Sequence, residues 1–118
     1  MSDYLKRFKT TDIEERRKAS QRMSEKYPDR CCIIVTKMKG SDVPDIDKHK
    51  YLVPRTLSMG QFVYVIRKRI SIQPDKALFI YVDNILPSTS ELIGNVYNNH
   101  VADDGLLYIT YAGESTFG

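Results

Sequence analysis

The chain of 118 residues predicts an α+β fold, a mixed sheet with a central parallel pair and two extra helices at the N-terminal end. Three observations predict it. A strongly apolar helical stripe sits between a hairpin and later strands, the closing apolar run is of strand length, and a charged segment of helical rhythm precedes the first strand. The length fits one domain able to bury a continuous core.

The elements follow in order. A short amphipathic piece, Tyr4 to Phe8, precedes a helix that Thr11 and Glu14 open as a Thr-x-x-Glu capping box and that runs to about Lys26. Its apolar contacts are Ile13, Ala19, Met23 and Tyr27, a thin set, so the helix is expected on the surface with Arg16, Arg17, Lys18 and Arg22 in water. The β-branched run Cys31 to Thr36, the turn-rich stretch Gly40 to Asp47, and Lys50 to Val53 ending at Pro54 read as a hairpin with a long loop. Ser58 and Gln61 form a second capping box, and Met59, Phe62, Val63, Ile66 and Ile70 recur at helical spacing to make the central helix. After Pro74 come the strand Leu78 to Val82, a short Ile85–Leu86 strand and the turn at Pro87. Ser88 and Glu91 suggest a third box, opening a helix that turns Leu92, Ile93, Val96 and Tyr97 inward. Asp104-Gly105 then leads into the last strand, Leu106 to Tyr111. This is the ordering of a β-grasp, in which the last strand lies centrally, parallel to the first and covered on both faces.

Charge is distributed unevenly. All 18 Lys and Arg lie before residue 77, whereas the remainder carries Asp83, Glu91, Asp103, Asp104 and Glu114. The two ends therefore differ in potential and are expected to meet different partners. Aromatic residues near the basic part sit in strand or helix patterns and no RNP-like or Gly-Arg-rich segment is present, so nucleic acid is not an expected partner. The longest apolar run, Ala77 to Val82, is too short to cross a bilayer, and a cytosolic location is expected. Cys31 and Cys32 are neighbours on opposite faces of a strand, with no His and acid signature beside them, and read as structural thiols. His49 and His100 lack metal-ligand spacing, and there is no Gly-rich phosphate loop. No catalytic residue, metal or small-molecule cofactor is expected, and the chain does not read as an enzyme.

The polar end, Ala112 to Gly118, reads as a flexible tether. Its seven residues reach at most about 23 to 25 Å, and a terminal glycine lets a carboxylate enter a narrow active site at little steric cost. The chain divides accordingly into residues 1–28 (N-terminal helical subdomain packed on the core), 29–111 (the β-grasp) and 112–118 (tail).

Three segments carry a resemblance: Asp45 to Pro54, Gly60 to Arg69, and Asp104 to Tyr111 with Glu114 to Gly118. In them the chain resembles the autophagy-related protein eight family, the GABARAP-like ubiquitin-like modifiers, over almost its whole length. The resemblance implies that an activating enzyme adenylates Gly118. It further implies thioester transfer to a conjugating enzyme, amide formation with phosphatidylethanolamine, and release by a deconjugating cysteine protease. Phe117 would help those enzymes grip the tail. Two acyl chains gained in one step anchor stably where one does not, so conjugation would move the protein from the cytosol to the autophagosome membrane.

The resemblance also implies that Lys50 to Val53 pairs with cargo receptors carrying an aromatic-x-x-aliphatic motif, by strand addition. The aromatic pocket would be lined by Met23, Cys32, Ile34, Lys50, Leu52 and Leu106, and the aliphatic pocket by Tyr51, Val53, Pro54, Leu57, Phe62 and Val65. Arg30, Lys48 and Arg69 would form a charged rim for acids flanking the motif, and Phe79 and Tyr81 a second docking surface for helical motifs. Many relatives carry an acid at Ala19, a proline at Cys32 and a phenylalanine at Leu106, so a Phe or Tyr anchor is expected to be accepted at least as well as Trp. The alternative reading is an unconjugated basic adaptor that binds microtubule tails or anionic lipid, with binding that weakens steeply in salt.

Overall fold

The structure, a computed structural model, describes residues 2–114. Its elements are α1 (Asp3–Phe8), α2 (Ile13–Lys26), β1 (Arg30–Lys37), β2 (Lys50–Pro54), α3 (Met59–Ile70), β3 (Phe79–Tyr81), α4 (Ile93–His100) and β4 (Leu107–Ala112). The strands form one sheet in the order β2-β1-β4-β3. β1 and β2 are antiparallel, with Cys32 opposite Leu52; β1 and β4 are parallel, with Ile33 opposite Leu107; β3 and β4 are antiparallel. The expected mixed sheet with a central parallel pair is present. The short strand at Ile85 and Leu86 is not part of it, since Ile85 makes only an isolated bridge to Val82 across a turn in which Asp83 and Asn84 have positive φ.

Strand alternation sorts the side chains onto two faces. Cys31, Ile33, Val35, Leu107, Ile109 and Tyr111 point to one, where Met59, Phe62, Ile66 and Ile70 of α3 and Ile93 and Val96 of α4 complete the main core. The long loop after β1 adds Val43 and Ile46 and is held by the Tyr111 hydroxyl, which donates to the Pro44 carbonyl at 2.7 Å. Cys32, Ile34 and Leu106 point to the other face, against Tyr4, Leu5 and Phe8 of α1.

Of the three sequence-read capping boxes only the one at Ser58 forms, with Gln61 and Ser58 reciprocally bonded. α2 is capped by Asp12 instead of Thr11, and the Glu14 carboxylate accepts from Arg17 rather than reaching back. α4 starts after Leu92 with no side-chain cap, and Leu92 is 41% exposed rather than turned inward. The cause is tertiary. The Ile93 and Gly94 N–H groups donate to the Leu57 and Arg55 carbonyls at 2.8 and 2.9 Å, while Met59 and Gly60 at the head of α3 donate to the Glu91 and Thr89 carbonyls at 2.8 and 2.9 Å. Two helix N-termini thus satisfy each other's orphan donors through their leading loops, and a serine cap at α4 is redundant.

α2 also differs from expectation. Ile13, Ala19 and Met23 are exposed, and its only buried residue is Ser20. Arg16 is not in water: its side chain is 11% exposed and its Nε donates to Asp104 Oδ2 at 3.0 Å. The helix docks by polar contacts with the turn before β4, where Ser20 Oγ donates to the Asp104 carbonyl at 2.6 Å and Arg17 Nε to the Asp103 carbonyl at 2.9 Å. Gly105, at φ 81°, makes the approach possible, because a Cβ there would lie 2.4 Å from Ser20 Oγ.

Candidate functional site

β2 is an edge strand, and its free side follows from its hydrogen-bond alternation. The His49 carbonyl accepts from Val35 N–H at 2.8 Å, and Arg55 N–H donates to the Asp29 carbonyl at 3.0 Å. In an antiparallel pair the residues between alternate, so Tyr51 and Val53 bond toward β1 while Lys50 and Leu52 present their N–H and C=O groups outward. The Leu52 carbonyl receives a long bond from Arg30 Nη1 at 3.4 Å.

Between this edge and α2 lies a cavity of about 810 Å³. It exists because α2 docks at its polar end on the Asp104 turn and carries no large apolar side chain down onto the sheet. Met23, Cys32, Ile34, Lys50, Leu52 and Leu106, the six residues expected around an aromatic anchor, all line this one cavity, and so does Ala19. Phe8, which sequence reasoning did not place here, closes one side, stacked on Tyr4 at 5.7 Å with Lys50 Nζ 5.3 Å above its ring. The signal for it was present in the amphipathic rhythm of the first residues, but nothing in that rhythm says which face of the sheet it covers.

The rim is basic. Arg16, Lys18, Arg22, Lys48 and Lys50 line the cavity, with Glu15 as the one acid among its lining residues. Lys48 stands 4.9 Å above the Tyr51 ring, whereas Arg69 is engaged by Asp47 in a two-pronged bond at 2.8 and 3.1 Å. That pairing holds the Asp47 carboxyl below its usual range. Burial pushes the Cys32 thiol up, and the Cys31 thiol likewise against an opposing pull from Arg55. Both are free thiols, protonated at neutral pH and so weak nucleophiles.

The residues expected around an aliphatic anchor are less uniform. Val53 and Phe62 belong to the main core, Tyr51 and Leu57 pack half-buried against it, Pro54 is half-buried at the strand end, and Val65 is exposed. The Tyr51 ring meets Phe62 edge-on at 5.7 Å, and its buried hydroxyl has no hydrogen-bond partner among the described residues. Phe79 and Tyr81 share the face opposite the core, but Tyr81 is buried and Phe79 half-buried, so Phe79 alone of the pair reaches the surface. Tyr4, Leu5 and Phe8 of α1 pack against the Cys32, Ile34 and Leu106 cluster. Phe117 and Gly118 lie outside the described residues.

A latch of polar groups joins α2 to the turn before β4. Asp104 is 2% exposed, and its carboxylate accepts from Arg16 Nε, the Leu106 N–H at 3.1 Å and the Tyr108 hydroxyl. Burial first, and the Asp104 carboxylate second, push the Tyr108 hydroxyl far above its ordinary range.

Residues 15–118 match the family model described as "Autophagy protein Atg8 ubiquitin like". The chain is 58% identical over 107 residues to Autophagy-related protein 8e of Arabidopsis thaliana, covering 91% of this chain and 88% of that one. It is 57% identical over 106 residues to Autophagy-related protein 8 of Schizosaccharomyces pombe, covering 90% and 88%. Among solved structures, a crystal structure of Trypanosoma brucei ATG8 superposes with a TM-score of 0.88 at 36% identity, covering 100% of this chain and 99% of that chain.

Proposed function

The chain belongs to the Atg8 family of ubiquitin-like autophagy proteins, and from that premise we propose that it is a membrane-conjugated adaptor. Its Gly118 carboxylate is joined to phosphatidylethanolamine, and its β2 edge then recruits receptors carrying an aromatic-x-x-aliphatic motif to the autophagosomal membrane. The observation that carries the reading is the coincidence of an unpaired strand edge at Lys50 and Leu52 with an apolar cavity of about 810 Å³ behind it. An added strand takes its affinity from the backbone groups of the edge and its selectivity from the cavity beside them. The basic rim favours acids next to the motif, and rim charges act mainly on the rate of encounter.

Attachment through a lipid suits a protein in which no helix among the described residues is long and apolar enough to cross a membrane. The chemistry belongs to the enzymes that would act on the tail: an activating enzyme forms the adenylate and a thioester, a conjugating enzyme delivers the acyl group to the lipid amine, and a cysteine protease reverses the amide. In this scheme the chain is the acyl donor.

Mass spectrometry of the membrane-bound species tests the conjugation. A C-terminal gain equal to phosphatidylethanolamine less water is expected, and Gly118→Ala should abolish it with folding intact. A G118A chain that still acquires lipid overturns the proposal. Docking is tested by peptide titration: Phe and Tyr anchors should bind at least as tightly as Trp, because Ala19, Cys32 and Leu106 give the cavity small or flexible walls. A preference for Trp above about tenfold, or 1.4 kcal/mol, contradicts that reading.

A further inference from the structure

The base of the C-terminal tail is held by the loop between β1 and β2. β4 runs through Ala112, one residue into the stretch that sequence reading assigns to a flexible tether. Gly113 N–H donates to Ser41 Oγ at 3.0 Å, and Ser41 Oγ reaches the Glu114 carboxylate at 3.4 Å. The Glu114 carbonyl faces the Tyr81 hydroxyl at 3.4 Å. Ser41 is itself buried, one of four buried polar or charged residues among those described. The notch around Gly113 is tight, because a Cβ there would lie 2.5 Å from Val43 Cγ1, 3.2 Å from Lys76 Cε and 3.4 Å from Asp42 Oδ1. Lys76 Nζ and Asp42 Oδ2, 3.2 Å apart, close the outer side. The loop is in turn fixed to the core by Val43 and by the Tyr111 hydroxyl on Pro44.

We propose that Ser41 is a positioning residue for C-terminal conjugation: by holding Gly113 and Glu114 against the body it sets the point from which residues 115–118 depart. This rests on the proposed conjugation through Gly118. With the base fixed, the span from Glu114 to Gly118 is at most about 13 to 14 Å, instead of the longer reach of a tether free from the end of β4. An enzyme that grips the domain then finds the reacting carboxylate within a small volume. Releasing the clasp adds freedom that binding must remove again.

The test pairs amide exchange with activation kinetics, using the full chain, Ser41→Ala, Ser41→Thr and a family activating enzyme. In the wild type the Gly113 amide should exchange slowly. S41A should exchange faster and raise KM for adenylation roughly five- to thirtyfold, the cost of ordering one freed backbone residue, with kcat unchanged. S41T keeps the hydroxyl and should restore both. If S41A does not fold, Gly113→Ala, which opens the notch from the tail side, replaces it with the same expectation. An unprotected Gly113 amide in the wild type overturns the proposal, as does equal KM across the variants while the wild type is activated normally. A wild-type chain that never forms an adenylate overturns the conjugation reading and the positioning role with it.

Discussion

On the face of the sheet turned toward α3 and α4, apolar stripes meet apolar strands, and Phe62, Ile66, Ile93, Leu107 and Ile109 are wholly buried. On the opposite face the buried apolar cluster near the helices is only Cys32, Ile34 and Leu106, with Tyr81 buried farther along the sheet, and α2 contributes only Ser20 to the interior. The first face is closed by area removed from water, which is non-directional and tolerates no gap. The second is closed by a few directed bonds at one end, Arg16 and Ser20 on the Asp104 turn. Such bonds fix the helix without filling the space under it, and that space is the groove. One sheet therefore supports stability with one face and leaves an open cavity on the other.

The largest expected effect lies on the packed face. Phe62→Ala should destabilise by about 4 kcal/mol, measured as a lower denaturant midpoint at unchanged slope, and a loss below about 1 kcal/mol would break the contrast between the faces. Next comes the latch. Asp104→Ala strands a mostly buried Arg16 guanidinium and should cost about 3 kcal/mol, with α2 amides exchanging faster than those of α3. Uniform acceleration of both helices would mean that the two faces unfold as one unit.

A pH titration reads both faces. Burial pushes the Tyr111 hydroxyl, on the core side, and the Tyr108 hydroxyl, on the groove side, above their ordinary value of 10.0. The folded chain keeps protons that the unfolded chain has lost, so stability is intact below that value and falls as pH rises through it. The slope approaches about 1.4 kcal/mol per pH unit for the fully buried Tyr111. Tyr108, beside the Asp104 carboxylate, acts in the same direction, and Tyr108→Phe and Tyr111→Phe should each flatten the alkaline decline.

Leu52→Ala should act on binding more than on stability. Roughly tenfold weaker capture of an aromatic-x-x-aliphatic peptide is expected, read by calorimetry, with little change in the thermal midpoint. The smallest effect belongs to the exposed pair Asp47–Arg69: Asp47→Asn should leave the midpoint unchanged within error, since solvent screens such pairs.

Much of this was legible in the chain itself. The Ser58–Gln61 box and the stripe behind it act within three or four residues, so their geometry is written locally, and α3 forms where they predict. The alternation that parts Cys31 from Cys32 is equally local, and the six side chains lining the cavity could be named from the resemblance in sequence. The boxes at Thr11 and Ser88 misled because a cap is one of several ways to satisfy the same donors. At α4 the competitors were the Arg55 and Leu57 carbonyls, distant in sequence and supplied by the fold.

What the sequence by itself determined are the four helices and the four strands of the sheet, their order, the parity of each strand and hence the β-grasp, because propensity, capping and period are properties of neighbouring residues. Only the tertiary structure decided that Arg16 turns inward to Asp104, that Phe8 walls the groove, and that Ser41 holds Gly113. Each of these joins segments far apart in the chain, and whether a polar group meets water or a buried partner depends on which surfaces the completed fold brings together.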